Sequence, residues 1–259
     1  VVAIDFSIVA CTTCGHVRVD PRIADENLDE LYDAGYYRGE GFDATIDYSS
    51  QPTKETIAEN ADIIDSIAEA AGGSVRGLRW LDVGCGTGTL LEQARDRGAN
   101  VFGYDSSAAA LATSELKGIP LLDAASLEEN AQTFDIVSAI EVIEHVPDPR
   151  AFLQFLAARA QPGGVVFVRT GNWNLVRRLP GTPYLMPEGH IHYFTPNVMR
   201  RLFAQSMLRE APAFNRTWFA WRLVPDPIRR FVPTQAFNAL ARATRKFAPA
   251  FADYPIGLR

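Results

Sequence analysis

Sulfur is scarce in this chain, which has three cysteines and three methionines among 259 residues. Cys11, Cys14 and Cys85 are too few for the disulfide framework on which small secreted domains depend, so a reducing cytoplasm is the expected setting. Apolar runs approaching the roughly 20 residues of a membrane span are missing as well. No basic segment precedes an apolar one at the N-terminus, so neither a transmembrane segment nor a signal peptide is expected. The chain begins at Val1 rather than Met, and a missing natural N-terminus is expected. Histidine occurs four times, at positions 16, 145, 190 and 192, in or beside a motif each time. The composition otherwise is that of a globular protein, 47% hydrophobic and 22% charged, long enough for one substantial α/β domain with appendages.

The net charge of −6 hides an asymmetry. Residues 200–259 carry eleven Lys/Arg against three Asp/Glu, and residues 1–199 carry fourteen against twenty-eight. A basic flank of this kind suits a phosphorylated substrate, an anionic surface or the acidic body of a partner subunit, and the plainer reading is a solvated helix face.

The stretch Trp80-Leu-Asp-Val-Gly-Cys-Gly-Thr-Gly88 organises the chain. Leu78, Trp80, Leu81 and Val83 read as a buried strand, and Leu90, Leu91 and Ala94 take up helical spacing after the glycines. A strand, a tight turn and a helix N-terminus together bring backbone N–H groups close to a ligand, here expected to be a nucleoside cofactor. The third glycine of the dinucleotide fingerprint is lacking, because Thr89 stands where it would fall, and this disfavours NAD. A second strand, Ala99 to Tyr104, ends at Asp105, whose carboxylate can accept both hydroxyls of a ribose.

Together these residues resemble the first motif of the class I S-adenosylmethionine-dependent methyltransferases. The resemblance implies a Rossmann-like fold, with a seven-stranded, mostly parallel sheet, helices on both faces and a C-terminal antiparallel strand. It also implies S-adenosylmethionine as cofactor, bound by Asp82, Gly84, Cys85, Gly86, Gly88, Asp105, Ser106 and Glu141. A third strand, Ile119 to Leu122, ends in Asp123, which in that family accepts from the adenine amino group, with the Ala124 N–H near the ring. Ser126-Leu-Glu-Glu129 matches a capping box, so a short helix is expected after Asp123.

A fourth strand, Phe134 to Ile140, runs into Glu141-Val-Ile-Glu144-His145. Ligands in open parallel sheets sit outside the carboxyl ends of the strands. A helical turn there would place Glu141, Glu144 and His145 on one face, as a divalent metal site or an acid/base cluster. The E-x-x-E-H pattern resembles that of the ubiquinone-biosynthesis O-methyltransferases and of the small-RNA 2′-O-methyltransferases, and in the latter the corresponding residues bind a divalent metal; the plainer alternative is that Glu141 contacts the cofactor region while Glu144 and His145 cap the loop. A helix opening at Pro149 and a fifth strand, Val165 to Val168, follow. The segment from Thr170 to Thr195 is a candidate substrate loop. Strands four and five are neighbours in the methyltransferase arrangement, so His190 and His192 can approach Glu141, Glu144 and His145. His192 is preferred, because His192-Tyr-Phe194 resembles the later histidine of the RNA-methylating family.

The ends are less patterned. Cys11-Thr-Thr-Cys14-Gly-His16 has the form of one zinc-ribbon knuckle, and no second C-x-x-C exists in the sequence. The pair resembles the second half of an N-terminal zinc module that precedes some methyltransferase domains, including some that methylate nucleotide-bound sugars. Cys11 and Cys14 are therefore an incomplete site at which zinc is not expected. Tyr36, Tyr37 and Tyr48 lie in a cover segment, where related enzymes use a tyrosine to close over the cofactor, and Tyr37 is taken for that role. An amphipathic helix is expected over Pro52 to Ala71, a hairpin within Ala213 to Leu223, and a basic helix over Phe231 to Phe247.

The expected organisation is a cover segment at 1–51, a cofactor-binding domain at 52–224 and a basic helical extension at 225–259. The expected reaction moves the methyl group of S-adenosylmethionine to a small-molecule hydroxyl. His145 or His192 acts as base, with Glu141 beside it, or a Mg or Mn ion on Glu141, Glu144, His145 and His192 lowers the hydroxyl pKa. Nucleic acid is not an expected partner; a homodimer is. An RNA 2′-O-methyltransferase and a non-catalytic cofactor-binding or assembly protein are the alternatives.

Overall fold

The computed structural model describes residues 5–24, 31, 34–38, 40, 51–129, 132–178, 184–210, 217–218 and 251–258. The stretches expected to hold Tyr48, the body of the Ala213–Leu223 hairpin and the Phe231–Phe247 helix lie outside them.

Four parallel strands form the centre: β3 (Arg79–Val83), β4 (Asn100–Tyr104), β5 (Phe134–Ile140) and β6 (Ala160–Gly171). The order across the sheet is β4-β3-β5-β6. The strand order reverses between β3 and β5, which places a crevice outside the carboxyl ends of these strands. Strands β3, β5 and the body of β6 are buried on both faces, whereas the edge strand β4 buries Val101 and Gly103 and leaves Phe102 and Tyr104 half-buried. Leu81, Val137 and Val166 face one core with Leu153 and Leu156 of α6 (Pro149–Arg159) and Met199 and Phe203 of α8 (Pro196–Gln205). Trp80, Ile136 and Phe167 face the other with Ile64 and Ile67 of α2 (Lys54–Ala70) and Leu90 and Leu91 of α3 (Thr89–Asp96).

The helix ends carry local signals that the sequence contains. Thr53, Asp148 and Thr195 accept N–H bonds at the starts of α2, α6 and α8, and Pro149 and Pro196 sit at first-turn positions where no N–H partner is needed. Helix α4 (Ala108–Leu116) is capped by Ser107.

Three differences from the sequence-based picture have physical reasons. The third strand shrinks to a single parallel bridge between Gly103 and Leu121; Pro120 lacks an N–H and contributes only its carbonyl, to Gly103 N. The short helix α5 (Ala124–Glu129) starts two residues before the supposed capping box, because Asp123 Oδ1 accepts Ser126 N–H at 2.6 Å. Strand β6 starts at Ala160 rather than Val165, with a register shift opposite Phe134 and Ile136 that bulges out Pro162, Gly163 and Gly164.

Beyond β6 the sheet turns antiparallel. Strand β10 (Phe251–Leu258), which falls in the stretch expected as a helical extension, pairs along β6 and in turn with β8 (Leu208–Glu210) and β9 (Thr217–Trp218). The N-terminal cover is also partly a sheet. Strands β1 (Ser7–Ala10) and β2 (Val17–Asp20) form a hairpin, and β2 pairs with β7 (His192–Tyr193). Val17 and Val19 bury against Val176, Tyr184 and Tyr193, which docks the hairpin on the loop after β6. Val176 ends the short helix α7 (Trp173–Val176).

Candidate functional site

The glycine loop between β3 and α3 needs its glycines for stated reasons. Gly84, Gly86 and Gly88 have φ of +77°, +53° and +72°, a region that L side chains rarely adopt. A Cβ on Gly88 would stand 2.8 Å from Ser114 Oγ, and one on Gly84 2.5 Å from a Val142 methyl. The loop is tied to the end of β4, where Tyr104 O accepts both Gly84 N–H and Cys85 N–H. Gly103, which sequence reasoning passed over, makes room for Cys85: a Cβ there would lie 2.8 Å from the sulfur.

Asp105 closes this end of the cleft. Its Oδ2 accepts Gly86 N–H at 2.8 Å and its Oδ1 accepts Ser107 N–H at 2.9 Å. Burial pushes its carboxyl pKa up against the lowering effect of those N–H groups. Ser106 is exposed between them, and Ser107, not Ser106, caps α4. Helix α3 opens at Gly88 with no side-chain cap bond, and its N-terminus is an anion-favouring end.

Asp82 stands behind the loop, buried, with Oδ1 accepting from Ser138 Oγ; Ser138 in turn accepts Trp80 Nε1–H at 2.7 Å. Burial pushes its pKa up to about 7 and overrides the Ser138 bond. Asp123 is exposed and spends one oxygen on capping α5, with its pKa lowered by Ser126. Ala124 is exposed in the first turn of that helix. Tyr37 lies in α1 (Ala34–Tyr37), edge-on to the Tyr36 ring at 5.2 Å between centroids, and α1 packs on α4 beyond Asp105.

A second centre sits at the ends of β5 and β6. The segment after Ile140 is a set of turns and not a helix. Glu141 takes φ +56° there, its N–H bonded to Arg169 O and its carboxylate 3.3 Å from Arg169 Nε. This turns Glu141 toward β6, while Glu144 is fully buried and His145 half-buried. Among the described residues one group of three carboxylate and imidazole side chains brings its donor atoms within 4.8 Å of one another: Glu144, His145 and His190.

The bonds around that group set its protonation. His145 Nδ1 lies 3.0 Å from Gly189 O, and His190 Nδ1 lies 2.7 Å from Tyr184 O. A carbonyl only accepts, so each Nδ1 donates, and in the neutral form each ring has its lone pair on Nε2. Tyr184 OH donates to Glu144 Oε1 at 3.0 Å, and Glu144 Oε2 is buried with no hydrogen-bond partner. Burial pushes Glu144 up to about 7.

His192 is not part of this group. Its Nδ1 lies 2.9 Å from His16 Nε2, so its ring serves the hairpin contact, and burial lowers its pKa to about 4. His190 takes the place for which His192 was preferred. The reason is local: β7 pairing turns His192 toward β2, whereas the turn at 184–190 carries His190 toward His145, with ring centroids 4.7 Å apart. Glu141 is likewise outside the group, occupied with Arg169. Cys11 and Cys14 are exposed on the hairpin turn, where Gly15 N–H bonds Cys11 O at 2.8 Å, and they gather no third donor among the described residues. Among those residues no helix is long and apolar enough to cross a membrane.

Comparison with known proteins gives the family and the fold. A family model described as a methyltransferase domain matches residues 54–207. The chain is 37% identical over 157 residues to a ubiquinone biosynthesis O-methyltransferase of Aeromonas salmonicida, covering 54% of this chain and 66% of that protein. It is 44% identical over 117 residues to one from Cronobacter sakazakii, covering 42% and 48%. The match thus spans less than two thirds of these relatives. Among solved structures, magnesium protoporphyrin IX methyltransferase of Synechocystis with bound S-adenosylmethionine aligns with TM-score 0.57 at 13% identity, covering 93% of this chain and all of that one. An S-adenosylmethionine-dependent methyltransferase of Mesorhizobium loti aligns with TM-score 0.53 at 20% identity, covering 73% and 94%. At these identities the structural likeness speaks for the fold.

Proposed function

The chain belongs to the methyltransferase domain family, and from that premise we propose that it transfers the methyl group of S-adenosylmethionine to a hydroxyl oxygen of a small molecule. The convergence of Glu144, His145 and His190 at the ends of neighbouring strands β5 and β6 carries this reading. The similarity to ubiquinone biosynthesis O-methyltransferases supports oxygen as the acceptor atom.

In this reading the nucleoside lies over the Gly84–Gly88 loop, with Asp105 at its ribose and Asp123 toward the base. The N–H groups that Asp105 already holds keep its carboxylate aimed into the cleft. The methyl carbon is the electrophile the cofactor brings, so the chain's task is to align the acceptor and deprotonate it. A hydroxyl is a poor nucleophile at neutral pH, and the Nε2 lone pairs of His145 and His190 are the basic atoms in reach.

Glu144, His145 and His190 also fit a divalent cation: the carboxylate oxygen Oε2 is buried without a partner, and both imidazoles are fixed with Nε2 unprotonated. A divalent ion on these side chains would lower the pKa of the acceptor hydroxyl. Without an ion, burial pushes the Glu144 carboxyl up to about 7, and a bound cation would favour its ionised form.

The test incubates the protein with S-adenosylmethionine labelled in the methyl group and a series of phenols, whose pKa near ~10 is within reach of such a site. Label on phenolic oxygen, lost with EDTA and restored by Mg²⁺ or Mn²⁺, is the expected result. Transfer that EDTA leaves intact would replace the cation with His145 or His190 as sole base. No transfer to any acceptor, despite tight cofactor binding, would favour a non-catalytic role.

A further inference from the structure

Tyr184 touches two of the three residues of the acceptor-side group through different atoms. Its hydroxyl donates to Glu144 Oε1 at 3.0 Å, and its carbonyl accepts His190 Nδ1–H at 2.7 Å. The third residue, His145, is held by Gly189 O from the same turn. The hydroxyl is itself anchored to β6, accepting Gly171 N–H at 2.9 Å with Thr170 Oγ1 3.1 Å away. The Tyr184 ring is buried and lies against the His190 ring, with centroids 4.3 Å apart. It occupies space that only a glycine at 171 leaves open, since a Cβ there would stand 2.1 Å from Tyr184 Cζ.

We propose that Tyr184 is the positioning residue of this site, with Gly171 as the glycine that admits it. A carboxylate that is only buried can rotate about its last bond. Tying Oε1 to a hydroxyl that β6 backbone holds in place leaves one orientation, in which the partnerless Oε2 faces the two imidazoles. The carbonyl contact fixes the tautomer and the tilt of His190 at the same time. Packing alone would be served by phenylalanine, and the three partners of the hydroxyl mark it as more than filler. This inference rests on the reading that Glu144, His145 and His190 hold a divalent cation. Partners of liganding groups in other metal sites are worth roughly 10- to 100-fold in affinity.

The test titrates the full chain with Mn²⁺, following the free ion by electron paramagnetic resonance, for the unaltered protein and Tyr184→Phe. The variant is expected to bind Mn²⁺ about 10- to 100-fold more weakly, with S-adenosylhomocysteine affinity unchanged and altered Co²⁺ absorption bands at saturation. Equal Mn²⁺ affinity and identical Co²⁺ bands would overturn the positioning role while leaving the cation reading intact. Parallel losses of Mn²⁺ affinity, S-adenosylhomocysteine affinity and Tm would also overturn it, as the mark of a merely structural tyrosine. Failure of the unaltered protein to bind Mn²⁺ would overturn the cation reading and this inference together. Should Tyr184→Phe not fold, Gly171→Ala decides, because its Cβ must displace the Tyr184 ring: weaker Mn²⁺ binding with S-adenosylhomocysteine affinity kept supports the role, and unchanged Mn²⁺ binding overturns it.

Discussion

His16 Nε2 and His192 Nδ1 lie 2.9 Å apart, joining the N-terminal hairpin to strand β7 across 176 residues of sequence. His16 also stacks on Phe194 at 5.4 Å between centroids, and Arg201 donates to Cys14 O at 2.8 Å. The contact is made by two neutral rings, because burial lowers both pKa values, that of His192 to about 4. Arg18 near His16 and Arg22 near His192 act in the same direction.

This pair makes stability depend on pH. The unfolded histidine binds its proton near pH ~6.5, so between that value and about 4 the unfolded chain takes up a proton that folded His192 refuses. Its share of stability is therefore present above pH ~6.5 and lost as the pH falls toward 4. Melting curves from pH 7.5 to 4.5 should show a smaller fall in Tm for His192→Gln than for the unaltered protein. Parallel curves would mean that the pair does not govern the docking of the hairpin.

Asp105 is expected to be the most sensitive residue for the cofactor. Asp105→Asn keeps the shape but weakens the bonds to Gly86 N–H and Ser107 N–H and replaces a ribose acceptor. Bonds to a charged group are worth about 1.5–3 kcal/mol, so calorimetry should find S-adenosylhomocysteine bound roughly 10- to 100-fold more weakly. An unchanged Kd would move the ribose elsewhere.

Asp82 should behave in the opposite sense to His192. Its folded pKa, pushed up to about 7, lies above the unfolded value. Stability from this group is full below pH ~3.9 and lost as the pH rises through about 7. Asp82→Asn, which can still accept from Ser138 Oγ, removes that loss. Its Tm relative to the unaltered protein should rise more at pH 8.5 than at pH 5.5, and an equal effect at both would show that burial of the charge is not the cause.

Much of this was legible in the sequence because it is local. Glycines at alternate positions after an apolar run, Asp105 at the end of the next strand, and Thr or Asp ahead of Pro at helix starts each act within a few residues. The strand at Phe134–Ile140 has its expected bounds. What stayed hidden depends on pairing between distant segments. Nothing in His190-Ile-His192 says which imidazole turns toward Glu144, because that is decided by β7 pairing with a hairpin more than 170 residues away. Tyr184 carried no motif; the signal for it was Gly171 at the end of β6, where its ring needs the missing side chain. The β10 strand falls within the extension expected at 225–259 to be basic and helical, although Phe251–Leu258 itself carries no Lys or Arg.

The account stands most directly on the choice between the two histidines, and rates of methyl transfer for His190→Ala and His192→Ala test it. Loss of a residue that holds the reacting centre should lower kcat/KM by at least ~100-fold. His192→Ala, removed from the Glu144, His145 and His190 group by its bond to His16, should cost less than about fivefold once its lower Tm is allowed for. The reverse order, with His192 essential and His190 dispensable, would contradict the site described above.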